Sequence, residues 1–277
     1  MGKSFIIRIL FKVLDMKKKI KSVFNKKNKR KISCLTSYSY NFTKIIDGLV
    51  DVILVGDSMG MVLYGMDNTR AITDQMMINH AKAVKKAAEK SLVFFDLPFQ
   101  KNFDEKEMIT RVKNIFKKTG CDGVKIEGNA ELINVIQKLK KLNIPVMAHL
   151  GLQPQKFTSS KNFKIYGKNK KDLDKIIDDS IKLQNSGAVA LLLEGMKTNI
   201  AKKITEITKI PTIGIGASEF CDGQILVSED MLGMFTEYHP KFVKKYLNLS
   251  DKIKDAVKKY VSEIDRAKFP NKNFRYD

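Results

Sequence analysis

The sequence predicts an α/β protein built on a single (β/α)8 TIM barrel, and three observations support this fold class. The chain has 277 residues, and barrels of this kind usually have about 250. Short apolar segments alternate with amphipathic helical segments, the pattern of right-handed βαβ units around a parallel sheet. Several apolar segments also end in a charged or polar side chain, as barrel strands do at an active site.

Strands are predicted from short runs rich in β-branched and aromatic residues. The second run opens with the apolar residues VILV, which is typical of a strand buried on both faces. No GxGxxG turn follows the first run, and this disfavours a dinucleotide-binding open sheet. The predicted strands are Ile32–Tyr38, Val52–Ser58, Leu92–Leu97, Gly123–Glu127, Pro145–Leu150, Ala188–Glu194, Ile210–Gly216 and Gln224–Val227.

Helices are predicted where apolar residues recur at spacings of three and four. Asp104 is suited to cap one of them, and Gly187 is suited to end another. The longer polar segment Gly151–Lys170 is expected to be a functional lid or a disordered loop. The predicted helices are Asn41–Leu49, Asp74–Lys90, Asp104–Lys118, Ala130–Leu142, Lys171–Ser186, Thr198–Thr208, Asp230–Tyr246 and Ser250–Arg266.

The chain is expected to divide into a basic N-terminal extension, residues 1–30, and a catalytic barrel domain, residues 31–277. The formal net charge is +21, and residues 1–31 hold twelve Lys or Arg against Asp15 alone. A basic arm of this kind suits nucleic acid, anionic lipid or an acidic partner. A lysine-rich composition is the favoured explanation of the charge, because only six of the 51 basic residues are Arg and no arginine cluster or aromatic-interleaved basic motif appears. We therefore expect no nucleic-acid partner and no membrane partner.

The first residues allow two interpretations. Residues 1–15 combine basic and apolar side chains at helical spacing, which suits an amphipathic targeting or membrane-surface helix. Alternatively, translation starts at Met16, and residues 1–15 are an upstream addition. The following segment, Lys17–Lys31, is predicted to be solvated and partly helical.

The cysteines indicate a reducing compartment. Cys34, Cys121 and Cys221 are widely spaced, odd in number and without a CxxC pair, so neither a disulfide framework nor a zinc site is expected. No apolar run approaches the roughly 18–20 residues that span a bilayer. We expect a cytoplasmic enzyme.

Polar side chains stand at the ends of five consecutive predicted strands. Because the carboxyl ends of barrel strands meet at one mouth, these side chains are expected to lie close together. A single such residue is more often a helix cap or a satisfied core group, but five strands in succession favour a site. The candidate residues are Asp57, Ser58, Asp96, Lys125, Glu127, His149 and Glu194.

The residue types point to proton abstraction beside a carbonyl group. Asp57, Asp96 and Glu127 offer hard oxygen ligands, which suit Mg²⁺. Lys125 is placed two residues before Glu127, so both side chains face one side of the strand, and Lys125 can balance a substrate carboxylate. Glu194 follows LLL, and an apolar setting of this kind favours a general base. A metal would stabilise the developing enolate.

The same residues lie in sequence blocks that resemble the ketopantoate hydroxymethyltransferase family. The blocks extend from about Lys31 to Pro270, in order and at natural spacing. They are VGDSMG, DLPF, VKIEG, HLGLQPQ, LLLEG, IGIGA, DGQILV and PKFVKKY. The resemblance implies a Mg²⁺-dependent TIM barrel that assembles as a homodecamer. Its members transfer a hydroxymethyl group from 5,10-methylenetetrahydrofolate to 3-methyl-2-oxobutanoate, giving 2-dehydropantoate for pantothenate synthesis.

The resemblance also implies a role for each candidate residue. Asp57 and Asp96 bind the metal, and Glu127 binds it directly or through water. Glu194 accepts the proton from C3 of the keto-acid, which gives a Mg²⁺-stabilised enolate. The residues implied to contact substrate are Asp57, Ser58, Asp96, Lys125 and His149, with His149 as a polar contact rather than a base.

Three departures from the family pattern leave loop details open. Ser39 replaces an acidic residue, Ser218 stands where a glycine is usual, and Lys161–Asn162 replaces a glycine pair. Two alternatives to the family's function also stay open at this point. One is a different Mg²⁺-dependent barrel for α-keto acids, of the phosphoenolpyruvate mutase and isocitrate lyase kind, although no KKCGH-like run is present. The other is a basic nucleic-acid-binding or scaffolding barrel.

Overall fold

Eight parallel strands pair in chain order and close into a barrel, with β8 returning to β1. This confirms the predicted fold class. The structure is a computed structural model, and it describes residues 14–159, 163, 170–234 and 240–276. The strands are β1 (Ile32–Thr36), β2 (Val52–Val55), β3 (Leu92–Asp96), β4 (Gly123–Glu127), β5 (Val146–Gly151), β6 (Ala190–Glu194), β7 (Thr212–Ile215) and β8 (Gly223–Leu226).

The amphipathic helices that precede Ser228 surround the strands and bury their apolar faces against them. Thr73 and Asp104 cap two of the helices, because each side chain accepts a hydrogen bond from a backbone N–H of the first turn. The helices are α1 (residues 14–24), α2 (Tyr40–Ile46), α3 (Met59–Tyr64), α4 (Asp74–Ala87), α5 (Glu105–Thr119), α6 (Ile133–Lys141), α7 (Lys170–Ser186), α8 (Thr198–Ile207), α9 (Ser228–Leu232) and α10 (Leu249–Asp265).

Strand ends are the main difference between the predicted and observed barrel elements. The second strand stops at Val55, so Asp57 and Ser58 lie just beyond it rather than in it. The short helix α3 begins directly afterwards and was not predicted. Its six residues include Gly60, and a helix this short carries too little periodicity to be recognised.

The N-terminal segment lies against one end of the barrel. One face of α1 is solvated, as predicted, but the other is buried in the cluster that fills the barrel interior. Phe24 is 7% exposed, and its ring meets the ring of Phe94 on β3 edge-on, with centroids 6.0 Å apart. Lys27 forms a salt bridge to Asp222 at 2.6 Å. The interpretation of segment 17–31 as simply solvated is therefore wrong for this face. Residues 1–13 lie outside the described residues.

The C-terminal part departs most from prediction. The helix predicted for Asp230–Tyr246 is observed only as α9, which ends at Leu232. Gly233 follows with φ of +68°, the left-handed conformation that ends helices. Residues 240–248 are not helical, and residues 235–239 lie outside the described residues. The last predicted helix, Ser250–Arg266, is confirmed as α10 with a shift of one residue at each end.

The chain divides into two compact units, one ending at Val227 and the other beginning at Ser228. These units differ from the predicted division at residue 30, because the barrel unit includes the N-terminal segment and omits the C-terminal helices. Among the described helices, none has both the length and the apolar character required to cross a lipid bilayer.

Candidate active site

The strand register brings most of the predicted site residues to one level at the carboxyl ends of β3 to β6. Asp96 pairs with Lys125, and Glu127 pairs with His149. Glu194 ends β6 and pairs with Gly151 at the end of β5. Parallel strands in this register present these side chains to the same mouth.

The first group in the mouth is a buried ion pair with a second carboxylate beside it. The Lys125 ammonium donates to both carboxylate oxygens of Asp96 at 2.8 Å. The two side chains are 6% and 2% exposed. The backbone N–H of Asp57 donates to Asp96 Oδ2 at 3.2 Å, which places Asp57 next to the pair. The same ammonium lies 3.7 Å from Glu127 Oε1.

The second group is a histidine between two carboxylates. His149 is fully buried, with its Nδ1 3.3 Å from Glu127 Oε1 and its Nε2 3.3 Å from Glu194 Oε2. These contacts are ion pairs that lack hydrogen-bond geometry. Glu194 is the most accessible of the three, with 15% of its side chain exposed. A carboxylate that is oriented by an imidazole and reachable from outside suits proton transfer.

Ser58 stands at the edge of the mouth rather than inside the ion-pair network. Its hydroxyl shares a 2.9 Å hydrogen bond with the phenol of Tyr38, which is 3% exposed and follows β1. The Tyr38 hydroxyl therefore fixes the rotamer of Ser58.

Gln155 is a site residue that the sequence analysis missed. Its side-chain amide donates to Asp57 Oδ2 at 2.8 Å and to the Leu97 carbonyl at 2.9 Å. Its backbone N–H donates to Glu127 Oε2 at 3.2 Å. The block HLGLQPQ contains this residue, but only the turn Pro154–Lys156 points it back toward the barrel.

The pKa values of Asp57 and Lys125 are both raised, which favours the neutral form of the carboxyl and the charged form of the amine. Burial and the neighbouring Asp96 charge raise the pKa of the Asp57 carboxyl well above its ordinary value. Burial lowers the pKa of the Lys125 ammonium, but the charges of Asp96, Glu127 and Asp57 outweigh burial and raise it above its ordinary value. Lys125 is therefore a permanent cation, while the negative charge of Asp57 is poorly compensated.

Glu127 and His149 stabilise each other's charge. Burial raises the pKa of the Glu127 carboxyl, but His149 and Lys125 outweigh burial and lower it. Burial and Lys125 lower the pKa of the His149 imidazole, but Glu127 and Glu194 outweigh them and raise it to about 9. The two carboxylates thus favour the charged form of the His149 imidazole, which suits the polar contact that the resemblance implies.

The chemistry of this mouth fits a hard divalent cation. Asp57, Asp96 and Glu127 supply only oxygen donors, which Mg²⁺ prefers. Glu127 Oε1 is buried and has no hydrogen-bond partner among the described residues, and Asp57 is buried beside the Asp96 carboxylate. Across the described parts of the chain, however, no three His, Cys, Asp or Glu side chains form a preformed metal cage. The Lys125 contact to both oxygens of Asp96 explains this.

The structure describes two of the positions that depart from the family pattern, Ser39 and Ser218, and each forms hydrogen bonds within its own loop. Ser39 directly precedes α2, and its carbonyl accepts a hydrogen bond from Thr43. Ser218 is 6% exposed, and its hydroxyl accepts the backbone N–H of Phe220 at 3.2 Å. Lys161–Asn162 and seven further residues of the predicted lid, 160 and 164–169, lie outside the described residues.

Comparison with known proteins places this chain in a family. A family model described as ketopantoate hydroxymethyltransferase matches residues 17–272. The 3-methyl-2-oxobutanoate hydroxymethyltransferase of Pelagibacter ubique is 44% identical over 261 residues, covering 94% of this chain and 100% of that protein. The protein of the same name from Caldicellulosiruptor saccharolyticus is 43% identical, covering 92% of this chain and 98% of its own length.

Solved structures share the fold at much lower identity. Phosphonopyruvate hydrolase, solved with oxalate and Mg²⁺, matches with a TM-score of 0.61 at 9% identity, covering 94% of this chain and 93% of its own. The 2,3-dimethylmalate lyase of the phosphoenolpyruvate mutase and isocitrate lyase superfamily matches with a TM-score of 0.59 at 10% identity, covering 95% and 88%. These likenesses show the barrel architecture alone, whereas identities above 40% extend over nearly the whole chain. The chain belongs to the ketopantoate hydroxymethyltransferase family.

Proposed function

We propose that this chain transfers a hydroxymethyl group from 5,10-methylenetetrahydrofolate to 3-methyl-2-oxobutanoate and so makes 2-dehydropantoate for pantothenate synthesis. The observation that carries the proposal is the arrangement of the barrel mouth. An accessible carboxylate, Glu194, lies beside a buried imidazolium, and a buried lysine and three further carboxylates occupy the neighbouring strand ends. The names of the close relatives support the choice of substrate.

The keto-acid carboxylate is held by cationic and hydroxyl donors. Lys125 keeps its positive charge at neutral pH because the surrounding carboxylates raise its pKa. Ser58 offers a hydroxyl that Tyr38 holds in place. Asp96 lies against the substrate through its contact with Lys125. The keto-acid carboxylate therefore competes with Asp96 for the Lys125 ammonium.

Glu194 removes the proton from C3 of the keto-acid. The imidazole of His149 lies 3.3 Å from Glu194 Oε2, and 15% of the Glu194 side chain is exposed, so the substrate can reach this carboxylate. As the C3–H bond breaks, its electron pair moves toward the ketone. C3 bonds to the methylene carbon of the folate as the first of its two carbon–nitrogen bonds breaks, and water supplies the hydroxyl group as the second breaks. The proton taken from C3 and the remaining water proton go to the two folate nitrogens, and tetrahydrofolate leaves. Positioned acid–base groups of this kind contribute about 10²–10⁴-fold.

Asp57 and Asp96 would hold Mg²⁺, with Glu127 as a ligand directly or through water. When bound, Mg²⁺ supplies a Lewis acid for the negative charge that develops on the ketone oxygen. The homodecamer implied by the family and the cytoplasmic location expected from the cysteines stay predictions.

The direct test is an assay with purified protein, Mg²⁺, 3-methyl-2-oxobutanoate and 5,10-methylenetetrahydrofolate. We expect 2-dehydropantoate and tetrahydrofolate to appear in equal amounts, and we expect no product when the folate is omitted. A folded protein that makes no 2-dehydropantoate under these conditions would contradict the proposal.

A further inference from the structure

A second cavity lies at the end of the barrel opposite to the candidate active site. Its volume is about 850 Å³, within the range of roughly 300–1,000 Å³ typical of small-molecule sites. It is lined by residues that precede β1, β7 and β8, together with residues of α8. It is therefore at the amino ends of the strands, where barrel enzymes do not perform chemistry.

The walls of this cavity carry an excess of positive charge. Six cationic and two acidic side chains line it. Two of the cations are already neutralised, because Lys27 pairs with Asp222 at 2.6 Å and Arg30 pairs with Asp51 at 3.0 Å. These pairs hold the segment before β1 on the barrel and shape one wall.

Four cations remain without a carboxylate partner among the described residues: Lys29, Lys31, Lys202 and Lys209. Lys31 donates to the backbone carbonyls of Glu219 and Cys221, and Lys202 lies 4.5 Å from the centre of the Phe220 ring. The one other acidic side chain of the wall, Glu206, cannot balance four ammonium groups. A concave wall of one charge concentrates the electrostatic potential that attracts an anion.

We propose that this basic cavity binds a small di- or triphosphate. Lysine ammonium groups bind phosphate oxygens as point charges, and a polyphosphate places several negative charges within the span of one cavity. A nucleic-acid duplex would instead require cations spread along its backbone, with one contact per neutralised phosphate. The cavity is thus a binding site rather than a catalytic site, and it is separate from the barrel mouth that contains Glu194.

The test is calorimetric titration of the Mg²⁺-loaded protein with tripolyphosphate, with Mg²⁺ in excess over the probe so that cation removal from the active site gives no signal. The variant K202Q/K209Q removes two cavity charges. The matched variant K113Q/K117Q removes two charges from the exposed face of α5. We expect at least tenfold weaker binding in K202Q/K209Q, less than twofold change in K113Q/K117Q, and unchanged hydroxymethyl transfer in both.

Parallel titrations with ATP and with a 20-base-pair DNA duplex identify the ligand class. Binding of ATP or tripolyphosphate that depends on Lys202 and Lys209 supports the proposal, and the stronger of the two identifies a nucleotide or an inorganic polyphosphate as the better fit. Equal weakening by both double variants, no binding of either phosphate probe, or markedly tighter binding of the duplex would overturn it.

Discussion

Asp57 carries the least compensated charge of the barrel mouth. Asp96 receives two hydrogen bonds from the Lys125 ammonium, and Glu127 faces the His149 imidazolium. Asp57 Oδ2 accepts a hydrogen bond from the neutral side-chain amide of Gln155, and burial and the Asp96 charge raise the pKa of Asp57. A bound cation would reverse this effect, because positive charge favours the ionised carboxylate.

Mg²⁺ binding is therefore expected to be linked to proton release from Asp57. A raised pKa in the metal-free protein means that protons compete with the cation, so affinity should rise with pH as the Asp57 carboxyl loses its proton. Calorimetry in two buffers of different ionisation enthalpy measures the released protons. D57N should bind Mg²⁺ at least tenfold more weakly, whereas D255N, on exposed α10, should bind as the unchanged protein does. Affinity that is independent of pH, or equal loss in both variants, would argue against Asp57 as a ligand.

The sequence predicted those candidate site residues that lie at the ends of strands. Asp96, Lys125, Glu127, His149 and Glu194 all lie at or near the carboxyl end of a strand, and a barrel brings such ends together. Their pairing was not predictable, because it depends on the register between neighbouring strands. A shift of that register would separate His149 from Glu127, which pair directly.

At the scale of elements, the turn after β5 connects two parts of the candidate site. Gly151 has a φ of +97°, and a Cβ there would lie 2.2 Å from the Glu194 carbonyl oxygen, so only glycine allows this exit from the strand. The chain then forms the turn Pro154–Lys156, which places Gln155 on Asp57 and Glu127.

Replacement of Gln155 by Met tests the function of this turn. The side chain keeps its approximate volume but loses the amide, so Asp57 Oδ2 and the Leu97 carbonyl lose a donor. Groups that orient metal ligands typically change affinity or activity by about 10–100-fold. We expect a loss of this size in kcat/KM and in Mg²⁺ affinity, in a protein that still unfolds cooperatively but is about 1–3 kcal/mol less stable.

The matched control is Q75M on α4, where the glutamine is exposed and bonds only Asn79 among the described contacts. Activity and metal affinity should stay within twofold of the unchanged protein. If Q155M also keeps both, the turn supports the fold alone and does not position the carboxylates.

The elements that the sequence predicted well are those with strong periodicity between clear end signals. Helix α5, capped by Asp104 and ended at Gly120, is an example. Helix α3 and the end of α9 were not predicted, because six residues give too short a pattern and because Gly233 interrupts an otherwise helical composition. In α9, the left-handed conformation of Gly233 ends the helix although the residues after it favour a helix by composition.

At the scale of the whole molecule, the two ends of the barrel are built differently. The carboxyl ends of the strands form a charged mouth, while α1 closes the amino ends with Met16, Ile20, Val23 and Phe24. The sequence could not show this, because eight of the fifteen residues from 17 to 31 are lysines, a composition that resembles a free basic arm. Burial of one apolar face outweighs that composition.

Replacement of Phe24 by Ala tests whether the segment is part of the barrel. Truncation of a buried phenylalanine costs about 3–5 kcal/mol in free energy of unfolding, measured by urea denaturation. F103A removes the same atoms from a ring that is 50% exposed and should cost less than about 0.5 kcal/mol. Equal stability of the two variants would show that the segment before residue 31 is separable.

The central claim is that Glu194 removes the C3 proton of the keto-acid. Its most direct test is the rate of deuterium uptake at C3 of 3-methyl-2-oxobutanoate in D₂O, followed by proton NMR with Mg²⁺ and without folate. We expect rapid exchange with the unchanged protein and with E206Q, an exposed glutamate at the opposite end of the barrel. E194Q should slow exchange by about 10²–10⁴-fold while still binding the keto-acid. Exchange at the unchanged rate in E194Q would contradict the account.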